Sequence, residues 1–345
     1  MRFHHVHLEA FGHALPSEVT TSEELEVRLA PVYEKLNLSM GRLELMSGIS
    51  ERRFWPEGTR PSEISMQAAE DALARSGFDR SRLGMLIHSA VCRDFLEPAT
   101  ASVVHGALGL PETCTAFDLS NACLGFANAM GLVAAAIEAG TIEAGLVVAG
   151  EDGGPLVRQT IRALLNHPNV GRQDVKLAYA SLTIASGGAA CLLTRDTIAT
   201  TERQFLGSVS LAATEHVGLC RGDHVPGAAG PLMETNSEAL LHAGNALAKR
   251  TWTKFLEEME WNQDDVQRVV THQVGAAHRK LLLETLEIDP DIDYPTVAQL
   301  GNIGSVSLPL TFDLASRAGH IEDGQNCALL GIGSGLHCSM LGVRS

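Results

Sequence analysis

The sequence predicts a layered α/β protein in which five layers, α-β-α-β-α, are built from two duplicated halves. Three observations support this class. Short apolar runs bounded by glycine alternate with longer segments of helical spacing along the 345 residues. The 33 glycines suit many tight strand-to-helix turns. An internal repeat with a constant offset then divides the chain into two similar parts.

The repeat is visible in two pairs of segments. Residues 83–91 resemble residues 266–274, and residues 144–150 resemble residues 327–333, with apolar positions matched at an offset of 183 in both pairs. One pair alone would be no more than the chance likeness of two Val/Leu runs, but two pairs with one offset indicate a duplication. We therefore expect one half at residues 1–200 and the other at 201–345.

Apolar spacing also predicts individual elements. Residues 62–76 have the spacing of a helix, with Ser62 as its N-cap, and residues 236–259 have that of a long amphipathic helix. Residues 146–149 and 329–332 are apolar runs bounded by glycine, as in strands buried on both faces. These segments alternate in the order that a sheet covered by helices requires.

Composition argues against several function classes. The net charge of −15, from 26 basic and 41 acidic residues, disfavours non-specific binding to nucleic acid or to anionic membranes. The chain shows neither a run of about 18 apolar residues nor the apolar stretch of a signal peptide, so we expect no membrane span. Seven scattered cysteines without CxxC pairs disfavour a structural zinc site and favour a reducing compartment. We expect a cytoplasmic protein without a metal.

Three distant residues have the side chains that acyl-transfer chemistry needs. Cys123, His272 and Asn302 each stand among small or apolar residues. A thiol that accepts an acyl group must reach its thiolate form, and donors must stabilise charge on oxygen while a carbon–carbon bond forms. The set therefore predicts an acyl-cysteine enzyme.

The segments around these residues resemble the thiolase superfamily, specifically its ketoacyl synthase III branch. The resemblance covers nearly the whole chain, from residues 48–53 to residues 331–336. It implies a thiolase-like five-layer fold and acyl thioesters as substrates, with no other cofactor. Synthase III typically has His-Gln-Ala-Asn, Gly-Asn-Thr and Gly-Gly-Gly where this chain has His-Gln-Val, Gly-Asn-Ile-Gly and Gly-Ser-Gly-Leu.

Within that branch, the sequence is most similar to OleA-type enzymes. Those enzymes join two long-chain acyl-CoA molecules head to head, as the first step of olefin or ketone formation. The similarity includes residues 89–98, in which Glu97 precedes Pro98. By resemblance, Glu97 removes an α-proton in the site of the other subunit of a homodimer. The alternative is an exposed loop glutamate before a proline.

By the same resemblance, Cys123 accepts the acyl group. It follows a predicted strand at 115–119 and precedes a predicted helix at 124–136, whose N-terminus would lower the pKa of the thiol. The alternative is an inert buried cysteine. The N–H groups of Cys123 and Ser334 would form the oxyanion hole, although Ser334 also fits an ordinary glycine-rich turn.

His272 and Asn302 would hold the oxygen of the second substrate. His272 follows a predicted strand at 266–271, and Asn302 lies between glycine-rich positions. Alone, the first would be a histidine at a strand end and the second a turn-forming asparagine. Together with Cys123 they favour catalysis.

Substrate-binding residues are less well marked. Residues 156–182 lie where OleA-type enzymes carry a cap over the acyl channel, so Leu164 and Leu165 are candidates for an alkyl tunnel, or else belong to an ordinary surface helix. Arg42 and Arg221 are candidate contacts for coenzyme A phosphates. The tryptophan that stacks on adenine in synthase III is absent, and Arg42 stands near its place.

The sequence thus predicts a non-decarboxylative condensing enzyme for two long-chain acyl-CoA molecules. Its product would be a 2-alkyl-3-keto thioester or acid, passed to downstream pathway enzymes. Three alternatives stay open: a synthase III that uses a malonyl thioester, a simple acyltransferase, and a non-catalytic assembly partner of thiolase fold. Glu97 disfavours the first two, and the intact set of Cys123, His272 and Asn302 disfavours the third.

Overall fold

Two halves with similar strand order lie side by side in the molecule. A computed structural model describes residues 1–224 and 230–345. The first half contains β1 (Val6–Ala14), β2 (Glu18–Thr21), α1 (Ser22–Arg28), α2 (Ala30–Leu36), α3 (Arg42–Ser47), β3 (Glu51–Phe54), α4 (Pro61–Ser76), β4 (Met85–His88), α5 (Thr100–Leu108), β5 (Thr115–Asp118), α6 (Gly125–Glu138), β6 (Ala144–Glu151), α7 (Gly154–Asn166), α8 (Arg172–Ala178) and β7 (Gly187–Arg195). The second half contains β8 (Gln204–Ala212), β9 (Cys220–His224), β10 (Pro231–Thr235), α9 (Ser237–Met259), β11 (Arg268–Thr271), α10 (Ala276–Leu286), α11 (Val297–Leu300), α12 (Ser307–Arg317), β12 (Asn326–Gly333) and β13 (His337–Arg344).

The strands of each half pair in the same pattern. In the first half, β4 is parallel to β6, which is antiparallel to β7, and β7 is antiparallel to β1. In the second half, β11, β12, β13 and β8 repeat this pattern. The two sets join edge to edge where β1 meets β8: His7 pairs with Gln204, and an isolated bridge just before β1 pairs Arg2 with Gly207. The boundary that we place at residues 200 and 201 falls between β7 and β8 and stays a prediction.

Helices complete the five layers. α4 and α5 cover the outer face of the first set of strands, while α9 packs on β8 and β13 with α10 beside it. α6 and α12 lie between the two sets and contact strands of both halves. Phe126, Met130 and Phe312 from this middle layer form a continuous core with Leu8 and Phe205. The predicted α-β-α-β-α sandwich is confirmed.

The two middle helices begin in the same way. A 3₁₀ turn, Ala122–Leu124, precedes α6, and a second, Gly304–Val306, precedes α12. These two turns contact each other, and β12 lies against the first. A Cβ atom on Gly331 of β12 would come within 2.5 Å of the Leu124 side chain, so glycine permits this approach. The cysteine turn, the asparagine turn and β12 therefore meet in one place.

Predicted elements are present with small shifts, and one predicted cap is wrong. The helices expected at 62–76 and 236–259 are α4 and α9. Ser62 is not the N-cap of α4, because Arg60 holds that position and Pro61 begins the helix. The N–H and hydroxyl of Ser62 instead donate to the Asp94 carboxylate, at 2.9 and 2.6 Å.

The longest helix is α9, with 23 residues, and charged side chains interrupt it. No helix within the described parts of the chain is both long and apolar enough to cross a membrane.

Candidate active site

Cys123 stands in a strained turn between β5 and α6. Ala122, immediately before it, has a φ of 45°, a left-handed conformation that costs a residue with a side chain about 1–2 kcal/mol. Ala122 and Ser334 line one groove of about 500 Å³, and the side chain of Cys123 is only partly covered. The packed surroundings thus hold the thiol-bearing turn in one conformation at the edge of this groove.

The pKa of the Cys123 thiol is raised, not lowered. Burial is the main cause, and the nearby Glu151 and Cys220 add to it, so the pKa rises to about 12 although the N–H of Cys123 itself lowers it. The predicted net lowering of this pKa is wrong, because burial and the nearby Glu151 outweigh the backbone N–H that lowers it. At neutral pH the free protein therefore carries a protonated thiol here.

His272 is buried and neutral. It follows β11, its N–H donates to the Leu330 carbonyl in β12 at 2.8 Å, and its side chain is 8% exposed. Burial, and then His278, lowers the pKa of His272 to about 4. Neither ring nitrogen has a hydrogen-bond partner among the described residues. A neutral imidazole offers one donor and one acceptor, and both nitrogens are buried here without a partner from the described residues.

Asn302 presents its amide nitrogen in the same region. Its Oδ1 accepts from the Gly304 N–H at 3.0 Å, which orients the amide. Its main chain is held on both sides, by the Thr183 carbonyl at 3.0 Å and the Ala185 N–H at 2.8 Å. Within residues 1–224 and 230–345, no acceptor takes a hydrogen bond from Nδ2, so this nitrogen can donate to a substrate oxygen.

Gln273 links the histidine segment to the segment before Asn302, a role that we did not predict. Its Nε2 donates to the Tyr294 carbonyl at 2.8 Å, and its Oε1 accepts from the N–H groups of Thr296 and Val297 at 2.9 and 3.0 Å. The side chain is 2% exposed. The available sequence signal was a polar residue directly after the histidine, at the end of an apolar strand.

The candidate arginines lie in different environments. Arg221 lines the groove that Ala122 and Ser334 also line. Arg42 lies at the start of α3, where its Nη2 is 3.8 Å from the Met46 sulfur. Both stay candidate contacts for phosphate, and the placement favours Arg221.

The two cap leucines differ in burial. Leu164 is 5% exposed and packs in a cluster with Leu25, Tyr33 and Ile161 from α1, α2 and α7. Leu165 is 41% exposed. Only Leu164 therefore faces the interior of the cap.

Glu97 lies in the segment between β4 and α5 and is exposed within the single chain. Its carboxylate has no hydrogen bond or ion pair with the described residues. Val91, Phe95 and Leu96 around it are 58%, 39% and 99% exposed. This apolar, solvent-facing segment, residues 89–99, is called the Glu97 loop below.

Comparison with known proteins decides the family. The chain is 39% identical to the acyl-CoA:acyl-CoA alkyltransferase of Shewanella oneidensis, over 100% of both chains. This chain belongs to the acyl-CoA:acyl-CoA alkyltransferase family. A second alkyltransferase, from Xanthomonas campestris pv. campestris, is 34% identical over 99% of each chain.

Family models and a solved structure agree with this placement. The N-terminal domain of thiolase matches residues 49–203 of this alkyltransferase-family chain, and the C-terminal part of 3-oxoacyl-[acyl-carrier-protein] synthase III matches residues 256–344. A cysteine-to-serine variant of Xanthomonas campestris OleA with bound lauric acid and lauroyl-CoA has a TM-score of 0.94 at 33% identity, covering 99% of this chain and 100% of that chain. The predicted relationship to thiolases, synthase III and OleA is confirmed.

Proposed function

We infer that this protein is an acyltransferase that condenses two long-chain fatty acyl-CoA molecules by non-decarboxylative Claisen chemistry. The observation that carries this conclusion is the full-length identity of 39% to an acyl-CoA:acyl-CoA alkyltransferase. The site is compatible with that reaction, because a thiol-bearing turn, a neutral histidine and a free amide are available. The product is a 2-alkyl-3-keto thioester, or the keto acid after hydrolysis, and the coenzyme A thioesters need no further cofactor.

In the first step, the Cys123 sulfur attacks the carbonyl carbon of one acyl-CoA. Because this thiol is protonated at neutral pH, a base must take its proton as the carbon–sulfur bond forms. The departing coenzyme A thiolate takes it, because His272, with a pKa of about 4, is a weak base for this thiol. The N–H groups of Cys123 and Ser334 stabilise the oxyanion.

In the second step, Glu97 removes an α-proton from the second acyl-CoA. His272 and the Nδ2 group of Asn302 donate to the oxygen of the resulting enolate. The enolate carbon attacks the acyl-cysteine carbonyl. A carbon–carbon bond forms, the bond to the Cys123 sulfur breaks, and the proton that Glu97 removed returns to the Cys123 thiolate.

Glu97 acts in the site of a second subunit. The support for this homodimer is the Glu97 loop, which exposes three apolar side chains that a second copy would cover. We place the protein in the cytoplasm and its reaction in lipid or olefin metabolism, where further enzymes take up the product.

The reaction is tested with acyl-CoA alone. Purified protein is given a C10–C16 acyl-CoA series, and free coenzyme A and product mass are measured. We expect sustained coenzyme A release and a keto product with doubled chains. A single burst of about one coenzyme A per subunit, with turnover only after a malonyl thioester is added, would instead identify a decarboxylative synthase.

The assignment of Glu97 to the partner's site is tested by complementation. Cys123→Ala and Glu97→Ala homodimers should each lack condensation, while Glu97→Ala keeps its acylation burst. When the two variants are mixed in equal amounts and reassembled, half of the dimers contain one subunit of each kind. Each of these has one complete site out of two, so about a quarter of the wild-type rate should return. No recovery in verified mixed dimers would contradict the exchange of Glu97 between subunits.

A further inference from the structure

Glu151 is a buried carboxylate that the mechanism above does not use. It is the last residue of β6, and its side chain is 4% exposed. A carboxylate removed from water needs hydrogen-bond donors around it, and where those donors lie shows what it holds together. At Glu151, they come from two separate loops.

The first donors belong to the Glu97 loop. The Val91 N–H donates to Oε1 at 3.0 Å, and the Cys92 N–H donates to Oε2 at 3.2 Å. Farther along, Asp94 holds the same loop to α4 through Ser62. Glu151 thus fixes the point at which the Glu97 loop leaves β4.

The second donors belong to the turn that follows Asn302. The Ser305 hydroxyl and N–H donate to Oε1 at 2.8 and 3.3 Å. A Cβ atom on Gly304 would lie 3.1 Å from the same oxygen, so the turn packs directly on the carboxylate. The Gly304 N–H is the group that orients the Asn302 amide. Glu151 therefore supports the geometry of that amide.

We propose that Glu151 is a positioning residue that holds the Glu97 loop and the Asn302 turn of one subunit in fixed relation to each other. The inference rests on the proposed function, in which Glu97 serves the partner's site and Asn302 serves its own. One carboxylate then positions the Asn302 donor in the active site of its own subunit and the Glu97 base in the active site of the partner. Oε1 accepts from Val91 and from both Ser305 donors, whereas Oε2 accepts only from the Cys92 N–H. A glutamine with its oxygen at the first position therefore turns its NH₂ group toward the Cys92 N–H and loses that contact with the Glu97 loop.

The two roles are separable in a mixed dimer with one working site. One subunit, the donor subunit, carries Cys123→Ala and supplies Glu97. The other, the acylated subunit, carries Glu97→Ala and supplies Cys123, His272 and Asn302. Differently tagged copies are co-expressed and the mixed dimer is purified. Its coenzyme A burst reports acylation, and its steady rate of keto product reports condensation.

Glu151→Gln is then added to one subunit at a time. In the donor subunit it should lower the condensation rate by up to about 100-fold, through misplacement of Glu97, and leave the burst unchanged. In the acylated subunit it should lower condensation less, because the amide oxygen can still accept from both Ser305 donors. With the variant in the acylated subunit, which alone carries Cys123, a purely structural role would lower the burst as well. An unchanged condensation rate with the variant in the donor subunit would overturn the proposal.

Ser305→Ala separates the loops further, since it removes only a donor of the Asn302 turn. It should slow condensation roughly tenfold in the acylated subunit and have no effect in the donor subunit. If Glu151→Gln does not fold, Ser305→Ala still tests the proposal, because an equal loss of condensation with this variant in either subunit contradicts it. The matched control is Asp313→Asn, a buried carboxylate that binds His13 and Arg317 outside both loops. It should leave burst and condensation unchanged.

The outcomes distinguish this inference from the proposed function. Absence of condensation in the reference mixed dimer would overturn the assignment of Glu97 to the partner's site, and the inference with it. A working reference dimer that tolerates Glu151→Gln in the donor subunit would overturn only the role of Glu151.

Discussion

The raised pKa of Cys123 determines how the free protein reacts with electrophiles. Because burial raises this pKa to about 12, the thiolate is a small minority form near pH 7.5, below about one part in a thousand. We expect the rate of Cys123 alkylation by iodoacetamide to rise about tenfold per pH unit from 7 to 10 without a plateau. Mass spectrometry of the peptide that contains Cys123 measures this rate. Cys123→Ala gives the background, and a plateau below pH 9 would contradict the raised pKa.

At this scale, sequence reasoning identified residue types but not their environments. The strained φ of Ala122 could not be predicted, because alanine rarely adopts that conformation and only the packing around it imposes it. The direction of the pKa shift of Cys123 was missed, because the burial of the thiol and its closeness to Glu151 both arise from tertiary contacts. One signal was available: Glu151 is an acidic residue directly after an apolar strand.

The cap elements α7 and α8 offer a test of acyl-chain length. Leu164 faces the cluster between α7 and the α1–α2 segment, whereas Leu165 faces outward. If this cluster borders the alkyl tunnel, Leu164→Trp should shift preference toward shorter acyl-CoA chains by filling space. Leu165→Trp is the matched control and should keep the wild-type preference. Relative kcat/KM across the C10–C16 series measures the effect, and the same preference in all three proteins would remove Leu164 from the tunnel.

Elements were predictable where periodicity is strong. α9 matches its predicted segment because apolar residues recur at helical spacing and Asn236 caps it, with Oδ1 accepting from the Ala239 N–H at 3.2 Å. The start of α6 was less predictable, since a helix and a 3₁₀ turn share the same local pattern around Cys123.

On the surface of the whole molecule, the Glu97 loop is one of the exposed apolar features, and a second copy would cover it in the proposed homodimer. Leu96 is 99% exposed in the Glu97 loop, so Leu96→Asp should not disturb the folded chain but should weaken a dimer built on that loop. We expect the mass in solution to fall from about twice 36.8 kDa toward 36.8 kDa, with loss of condensation. Sedimentation at several concentrations measures this change.

The control for that experiment lies on another surface. Leu45 is 85% exposed on α3, and Leu45→Asp should leave the dimer mass unchanged. A dimer that persists in Leu96→Asp would place the subunit interface elsewhere. At this scale, the repeat offset was sufficient to predict five layers, whereas the meeting of the two sets of strands along β1 and β8 depends on tertiary geometry alone.

The matching turns before α6 and α12 put the candidate residues in corresponding parts of the two halves. Cys123 lies within the first turn and Asn302 lies just before the second, while Glu97 and His272 lie in the segments that follow the matching strands β4 and β11. In the proposed mechanism, the first half supplies the nucleophile and the base, and the second half supplies the donors to the enolate oxygen. Each half thus fills one part of a paired scaffold, so the two sequences can differ while their strands still match.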